Sequence, residues 1–179
     1  MKKIMLIALL TAFAGIAAET RIERSSPPSP ADKMPNSDSV PSTITLTTQF
    51  QRVVIARIKY QTDLLAGLQS AVKENQITNA VILSAIGSVR SYHFHGVNDR
   101  SFPVKDTFVK DPNSAADLVS MNGYVIGGRV HAHVTLANAN KAFGGHLEPG
   151  TEVFTFAIVT LGVLDDKIDL SRFDDKTYR

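Results

Sequence analysis

The spacing of apolar residues constrains the fold of this chain most strongly, because it marks several strand-length segments and a single helix. Residues 50–58 alternate and are rich in β-branched side chains, which predicts a strand. Residues 63–75 place leucine, alanine and valine along one helical face, with Thr62 as the expected N-cap. Further strands are predicted at 79–89, at 91–97, at 117–137 as a hairpin turning at Gly127 and Gly128, and at 152–164. The pattern predicts an α+β domain, a mainly antiparallel β-sheet with a barrel-like core and packed helices.

Two segments carry more specific structural expectations. Residues 152–164 are almost continuously apolar, which predicts a strand buried on both faces, under a helix or against another subunit. Residues 98–116 have the composition of turns and are expected to form a long surface loop.

The first eighteen residues are typical of a secretory signal peptide. Lys2 and Lys3 precede an uncharged apolar run, and small residues follow near Ala17 and Ala18, where cleavage is expected. The run is shorter than the ~20 apolar residues that a membrane-spanning helix needs, although an uncleaved anchor is the alternative. We expect a periplasmic or secreted protein with no stable membrane span after cleavage.

Residues 19–43 hold five prolines and six serines, with too few apolar side chains to offset the entropy of ordering. They are expected to form a disordered leader, which leaves residues 44–179 as the folded domain. Without residues 1–18 the 19 basic residues lose Lys2 and Lys3, so 17 basic residues balance 17 acidic ones. Neutral charge together with export argues against nucleic acid as a partner. The absence of cysteine excludes disulfides and thiolate sites.

Three of the five histidines lie in the segment GRVHAHVTLANANKAFGGHLEPG, residues 128–150. His131 and His133 are alternate residues of a predicted strand and therefore share one face. Gly144 and Gly145 are expected to let the backbone turn tightly and return His146 to the first pair. Three imidazoles suit zinc, which often keeps a fourth position open in catalytic sites, and other divalent transition metals accept the same donors. The alternative is that all three are ordinary polar residues of a half-exposed strand and a turn.

Other polar residues are weaker candidates for this site. Glu148 and Glu152 follow His146 closely, and either is a candidate to orient a ligand or to act as a general base. A second His-x-His pair, His93 and His95, is a candidate for the same pocket. Asn122, Arg129 and Lys141 are possible substrate contacts that nothing in their spacing distinguishes from surface residues.

The ordered succession of several segments resembles the PPC domain, also called DUF296, of plants and prokaryotes. The resemblance runs over most of residues 50–179, through DLLAGLQSAVKEN, AVILSAIGSV, DLVSMNGYV, GRVHAHVTLA, FGGHLEPGTEVFTFAIV and SRFDDKTY. It implies a homotrimer to which strand 152–164 contributes, and a metal, commonly zinc, at His131, His133 and His146. The DNA-binding segments of plant members have an Arg-Gly-Arg-Pro core that is absent from this sequence.

A more distant resemblance, in fold and in His-x-His followed by a third histidine, is to α-acetolactate decarboxylase, a zinc enzyme. The sequence therefore leaves two functions open beside plain metal binding by a protein of unknown activity. One is a zinc-dependent lyase or hydrolase acting on a small carbonyl compound. The other is a trimer that binds a small ligand or has a structural role without catalysis.

Overall fold

A nine-stranded antiparallel sheet and one α-helix make up the computed structural model, which describes residues 17–23 and 41–173. In chain order the elements are β1 (Glu19–Glu23), β2 (Arg52–Lys59), α1 (Leu64–Glu74), β3 (Ala80–Val89), β4 (Tyr92–Val97), β5 (Asp106–Asp111), β6 (Ala116–Ile126), β7 (Arg129–Ala137), β8 (Ala142–Leu147) and β9 (Val153–Val163). A 3₁₀ turn at Ser171–Phe173 follows. The predicted signal peptide lies outside the described residues except for Ala17 and Ala18.

The strands follow the order β1-β5-β4-β8-β7-β6-β3-β9-β2 across the sheet. β1 and β2 stand at opposite edges and do not pair with each other, so the sheet is open and the predicted barrel-like closure is corrected. The predicted packed helices are confirmed only in part, because the described part of the chain has one α-helix, α1, and the 3₁₀ turn. The predicted antiparallel arrangement is confirmed.

Helix α1 packs its apolar face on the sheet. Leu64, Leu68 and Val72 recur at helical spacing and are fully buried, and burial of each such side chain contributes about 1.5–3 kcal/mol. The N-cap is Asp63, whose side chain accepts a hydrogen bond from the Ala66 backbone N–H at 2.8 Å. The predicted cap was the preceding residue, Thr62.

Three predicted irregular segments contain strands instead. The leader 19–43 begins with β1, and residues 24–40 of it lie outside the described residues. The predicted loop 98–116 contains β5, which pairs with both β1 and β4. The backbone at Gly144 and Gly145 continues as strand β8 rather than turning.

The two glycines of β8 serve close strand packing. A Cβ at Gly144 would lie 1.9 Å from the Val134 carbonyl oxygen, and one at Gly145 would lie 2.2 Å from that of His95. By contrast, Gly127 and Gly128 have φ of 56° and 77° and form the predicted hairpin turn between β6 and β7.

Strand β9 is buried on one face only within a single chain. Its alternate residues Ala157, Val159 and Leu161 are fully buried, whereas Phe154 on the other face is 45% exposed. The predicted burial of both faces is therefore corrected for the single chain. No helix in the ranges that the structure describes is long and apolar enough to cross a membrane.

Candidate metal centre

Three histidines of the predicted metal site converge on one face of the sheet. His131 and His133 are alternate residues of β7, and His133 is paired directly with His146 of β8. On the same strand, Ala132 between them and Val134 after them point to the buried face, as the alternation predicts. The potential ligand atoms of the three histidines lie within 4.8 Å of one another. The approach that the sequence predicted therefore occurs, across neighbouring strands rather than around a turn.

The surroundings of His133 and His146 favour the neutral form of their imidazoles. Burial, followed by repulsion from His95, His131 and His133, lowers the pKa of His146 to about 4. Burial also lowers the pKa of His133, again with contributions from His131 and His95. His146 is therefore neutral at pH 7, and a neutral imidazole offers the nitrogen lone pair that a metal needs.

This donor set fits a divalent transition metal. Tetrahedral zinc binds imidazole nitrogens at 2.0–2.1 Å, which places neighbouring nitrogens about 3.4 Å apart. The exposed side chains of His131 and His133 have room to rotate and close the present separation of up to 4.8 Å. The three residues are therefore able to hold one ion.

The second His-x-His pair splits between two environments. His95 of β4 is paired with His146, and their rings stack with centroids 4.6 Å apart. His93 is buried, and its Nδ1 lies 2.8 Å from the Pro149 carbonyl oxygen, which can only accept. Its Nε2 is buried and has no hydrogen-bond partner among the described residues. His95 thus adjoins the three histidines, whereas His93 holds the β8–β9 connection.

The two glutamate candidates also separate. Glu148 accepts a hydrogen bond from His95 Nδ1 at 2.7 Å, which leaves His95 Nε2 with the lone pair when the ring is neutral. Glu152 lies 3.6 Å from Arg90 and contacts none of the histidines in the described structure. Glu148 is therefore the carboxylate that the fold brings to the site.

The sequence analysis did not identify some of the residues that lie beside the site. Phe108 and the buried Asp106 belong to β5, and Asp106 acts electrostatically on His146. Tyr124, paired with His131, was also missed. The available signal was the run of β-branched and aromatic residues at 107–109 in β5, but its short length and turn-rich flanks concealed it.

The three possible substrate contacts occupy different positions. Asn122 is paired with His133 across β6 and β7, and Arg129 lies two residues before His131 on the same strand. Lys141 lies over the Phe143 ring, 5.5 Å from its centroid. Phe143 and His146 lie three residues apart on β8, so their side chains point to opposite faces of the sheet. Lys141, which lies over Phe143, is therefore directed away from the three histidines.

Comparisons with known proteins agree with this fold. The family model described as Plants and Prokaryotes Conserved (PCC) domain matches residues 46–165. A search of curated proteins gave no match.

Among solved structures, a metal-containing protein from Archaeoglobus fulgidus is 24% identical with a TM-score of 0.58, covering 76% of this chain and 96% of its own. A plant- and prokaryote-conserved (PPC) protein from Pyrococcus horikoshii is 24% identical with a TM-score of 0.57, covering 71% and 89%. A protein from Ralstonia eutropha JMP134, described provisionally as DNA-binding, is 20% identical with a TM-score of 0.50, covering 64% and 80%. At these identities the likeness shows the fold.

Proposed function

Because the chain belongs to the Plants and Prokaryotes Conserved (PCC) domain family, we propose that it is a metal-binding member in which His131, His133 and His146 hold one divalent ion, zinc by preference. The resemblance to the PPC domain predicted from the sequence is thereby confirmed. The observation that carries the proposal is the convergence of three imidazoles within 4.8 Å, with His146 neutral at pH 7. The similar fold of the metal-containing protein from Archaeoglobus fulgidus supports it.

Cobalt provides a direct test, because Co²⁺ accepts the same donors as zinc and absorbs visible light when histidines bind it. Titration of the metal-free full chain should give absorption bands that saturate at about one ion per chain. The variant His133→Ala should lose the bands, and Glu152→Gln should keep them. A wild-type chain that neither develops bands nor takes up zinc contradicts the proposal.

A second candidate function is that of a metal-dependent lyase or hydrolase acting on a small carbonyl compound. A bound divalent ion supplies a Lewis acid that polarises a carbonyl oxygen. The observation that favours this candidate is the hydrogen-bonded pair of Glu148 and His95 beside His146. This pair holds a fixed acceptor next to the site and would orient a substrate hydroxyl or amide.

Turnover distinguishes the enzyme from a ligand-binding module. Small oxo acids and esters should be screened with the metal-loaded chain, and Glu148→Gln should abolish turnover while metal stays bound. Saturable binding of such compounds without turnover would identify the non-catalytic module instead.

We also propose that the chain assembles as a homotrimer. What supports this is an apolar set on the exposed face of β2, β3 and β9, on which Val53 is 55%, Ile55 69% and Ile86 56% exposed. Contiguous exposed apolar surface is costly in a monomer and marks contact sites. Light scattering should give three times the chain mass, and Ile55→Glu should shift the mass towards that of the monomer.

Two further expectations from the sequence complete the proposal. The first is export to the periplasm or beyond, supported by Lys2, Lys3 and the apolar run, and the mass of the purified mature protein should locate cleavage near Ala17 or Ala18. The second is that nucleic acid is not a partner, supported by the balance of 17 basic and 17 acidic residues after residue 18. Salt-dependent DNA binding would contradict it.

A further inference from the structure

Strand β1 lies outside the segment that the family model matches, yet it belongs to the sheet that carries the histidines. Glu19–Glu23 pairs with β5 over all five of its residues, whereas the match begins at residue 46. Without β1, strand β5 would form the sheet edge and leave a row of unpaired backbone groups. Strand β1 thus covers the edge of the sheet that lies nearer to the three histidines.

Side chains in five consecutive strands stand in register between this edge and the metal site. In strand order they are Arg21, Phe108, His95, His146 and His133. Arg21 Cζ lies 4.7 Å from the centroid of the Phe108 ring. The Phe108 ring lies 4.8 Å from that of His95, which in turn stacks on His146 at 4.6 Å. The row connects β1 to a proposed ligand through one guanidinium–ring contact and two ring–ring contacts.

Arg21 is held over the aromatic ring by its own strand. Its Nε donates to Glu23 at 2.9 Å, and its Nη1 lies 3.7 Å from a carboxylate oxygen of Glu19. These two carboxylates offset the charge of the guanidinium, so its main interaction with the site is the packing contact with Phe108. Phe108 is only 6% exposed, although β5 is the second strand from the edge of the sheet.

The ring of His95 is confined by three neighbours. Phe108 and His146 lie against it at 4.8 and 4.6 Å, and Glu148 binds its Nδ1 at 2.7 Å. We propose that β1 is part of the metal site, and that Arg21 is a positioning residue that fixes the ring of His95 through Phe108. The proposal rests on the proposed function in taking His146 as a ligand. Affinity for the ion then depends on residues that precede the family domain.

The test uses the full chain with ¹⁵N-labelled histidine, first free of metal. Nuclear magnetic resonance of the ring nitrogens reports which nitrogen of His95 carries the proton. The wild type should show one tautomer, protonated at Nδ1. Arg21→Ala and Phe108→Leu should show a mixture, because a His95 ring that is free to tilt away from Glu148 loses the acceptor that fixes its tautomer. Arg21→Lys should retain the single tautomer, because the lysine side chain can still pack on the Phe108 ring. The matched control Lys141→Ala removes the cation near Phe143 and should leave His95 unchanged.

The second measurement is Co²⁺ affinity of the same variants. Arg21→Ala should weaken binding measurably but by no more than about 5-fold, the upper limit set by one exposed cation–π contact, and Lys141→Ala should have no effect. If no variant and no wild type binds Co²⁺, the proposed function fails while the tautomer measurement still decides the role of Arg21. A single, unchanged His95 tautomer in Arg21→Ala and Phe108→Leu would overturn the inference and leave β1 as a cover for the sheet edge.

Discussion

Acidification should destabilise the metal-free protein as pH falls from about 6.5 to about 4, and His146 should account for a defined part of the loss. Burial holds the pKa of His146 at about 4, below its ordinary value of 6.5. Between these values the unfolded chain binds a proton at His146 that the folded chain does not bind. Stability from this residue is therefore fully present above pH 6.5 and is lost towards pH 4.

The magnitude follows from the two pKa values. At 1.36 kcal/mol per pH unit, the difference between 6.5 and about 4 corresponds to at most ~3.4 kcal/mol. His146 is only half-buried, and solvent screening reduces this to about 1–2 kcal/mol. The lowered pKa of His133 acts in the same direction.

Urea denaturation at pH 7 and pH 4.5, in the presence of a chelator, measures the effect. Wild type should lose about 1–2 kcal/mol more than His146→Gln between these two pH values. The comparison removes the contributions of carboxylates that titrate in the same range. His131→Gln serves as the matched control and should retain most of the pH dependence, because burial of His146 is the largest cause of its lowered pKa. Equal pH dependence in wild type and His146→Gln would refute the reasoning.

Three further variants test the framework of the site. Gly145→Ala should lose about 1–3 kcal/mol in urea denaturation, because its Cβ would lie 2.2 Å from the His95 carbonyl oxygen; unchanged stability would show that β8 shifts freely. Asp63→Ala should lose about 0.5–2 kcal/mol in the same assay through removal of the helix cap, and further stability because its second carboxylate oxygen accepts from the Gly150 N–H at 2.6 Å. Asp63→Asn should recover only part of the loss, because its amide has one acceptor oxygen for these two donors. Glu152→Gln should leave Co²⁺ affinity unchanged, and a weakened affinity would place this carboxylate near the histidines.

Strand β7 could be predicted because its two faces carry different residue types in a regular alternation. His131 and His133 alternate with Ala132 and Val134, so the polar face and the buried face are distinguishable by residue type alone. The same alternation predicted that the two imidazoles share a face. Their meeting with His146 was also expected, although the physical reason is strand pairing rather than a turn.

Strands β1, β5 and β8 were missed because local composition misrepresents them. β1 reads ETRIE, and its charges are typical of an edge strand that avoids aggregation. β8 contains Gly144 and Gly145, which resemble a turn in sequence but permit close approach to neighbouring strands in the fold. Such contacts form between distant parts of the chain, and the local pattern does not record them.

The difference between the two glutamates has a similar origin. Glu148 lies two residues beyond His146 and reaches His95, whereas Glu152 follows a connection that redirects the chain towards Arg90. Because both glutamates lie close to His146 in the sequence, the sequence made them equal candidates for a role at the site. Only the pairing of β4 with β8 separates them.

The most direct test of the central claim is elemental analysis of the untagged full chain, purified without added metal, for wild type and for the double variant His131→Ala/His133→Ala. The account predicts about one divalent transition-metal ion per wild-type chain and none in the folded variant. A wild type that is free of metal and takes up no added zinc, or a variant that keeps its ion, would contradict the account.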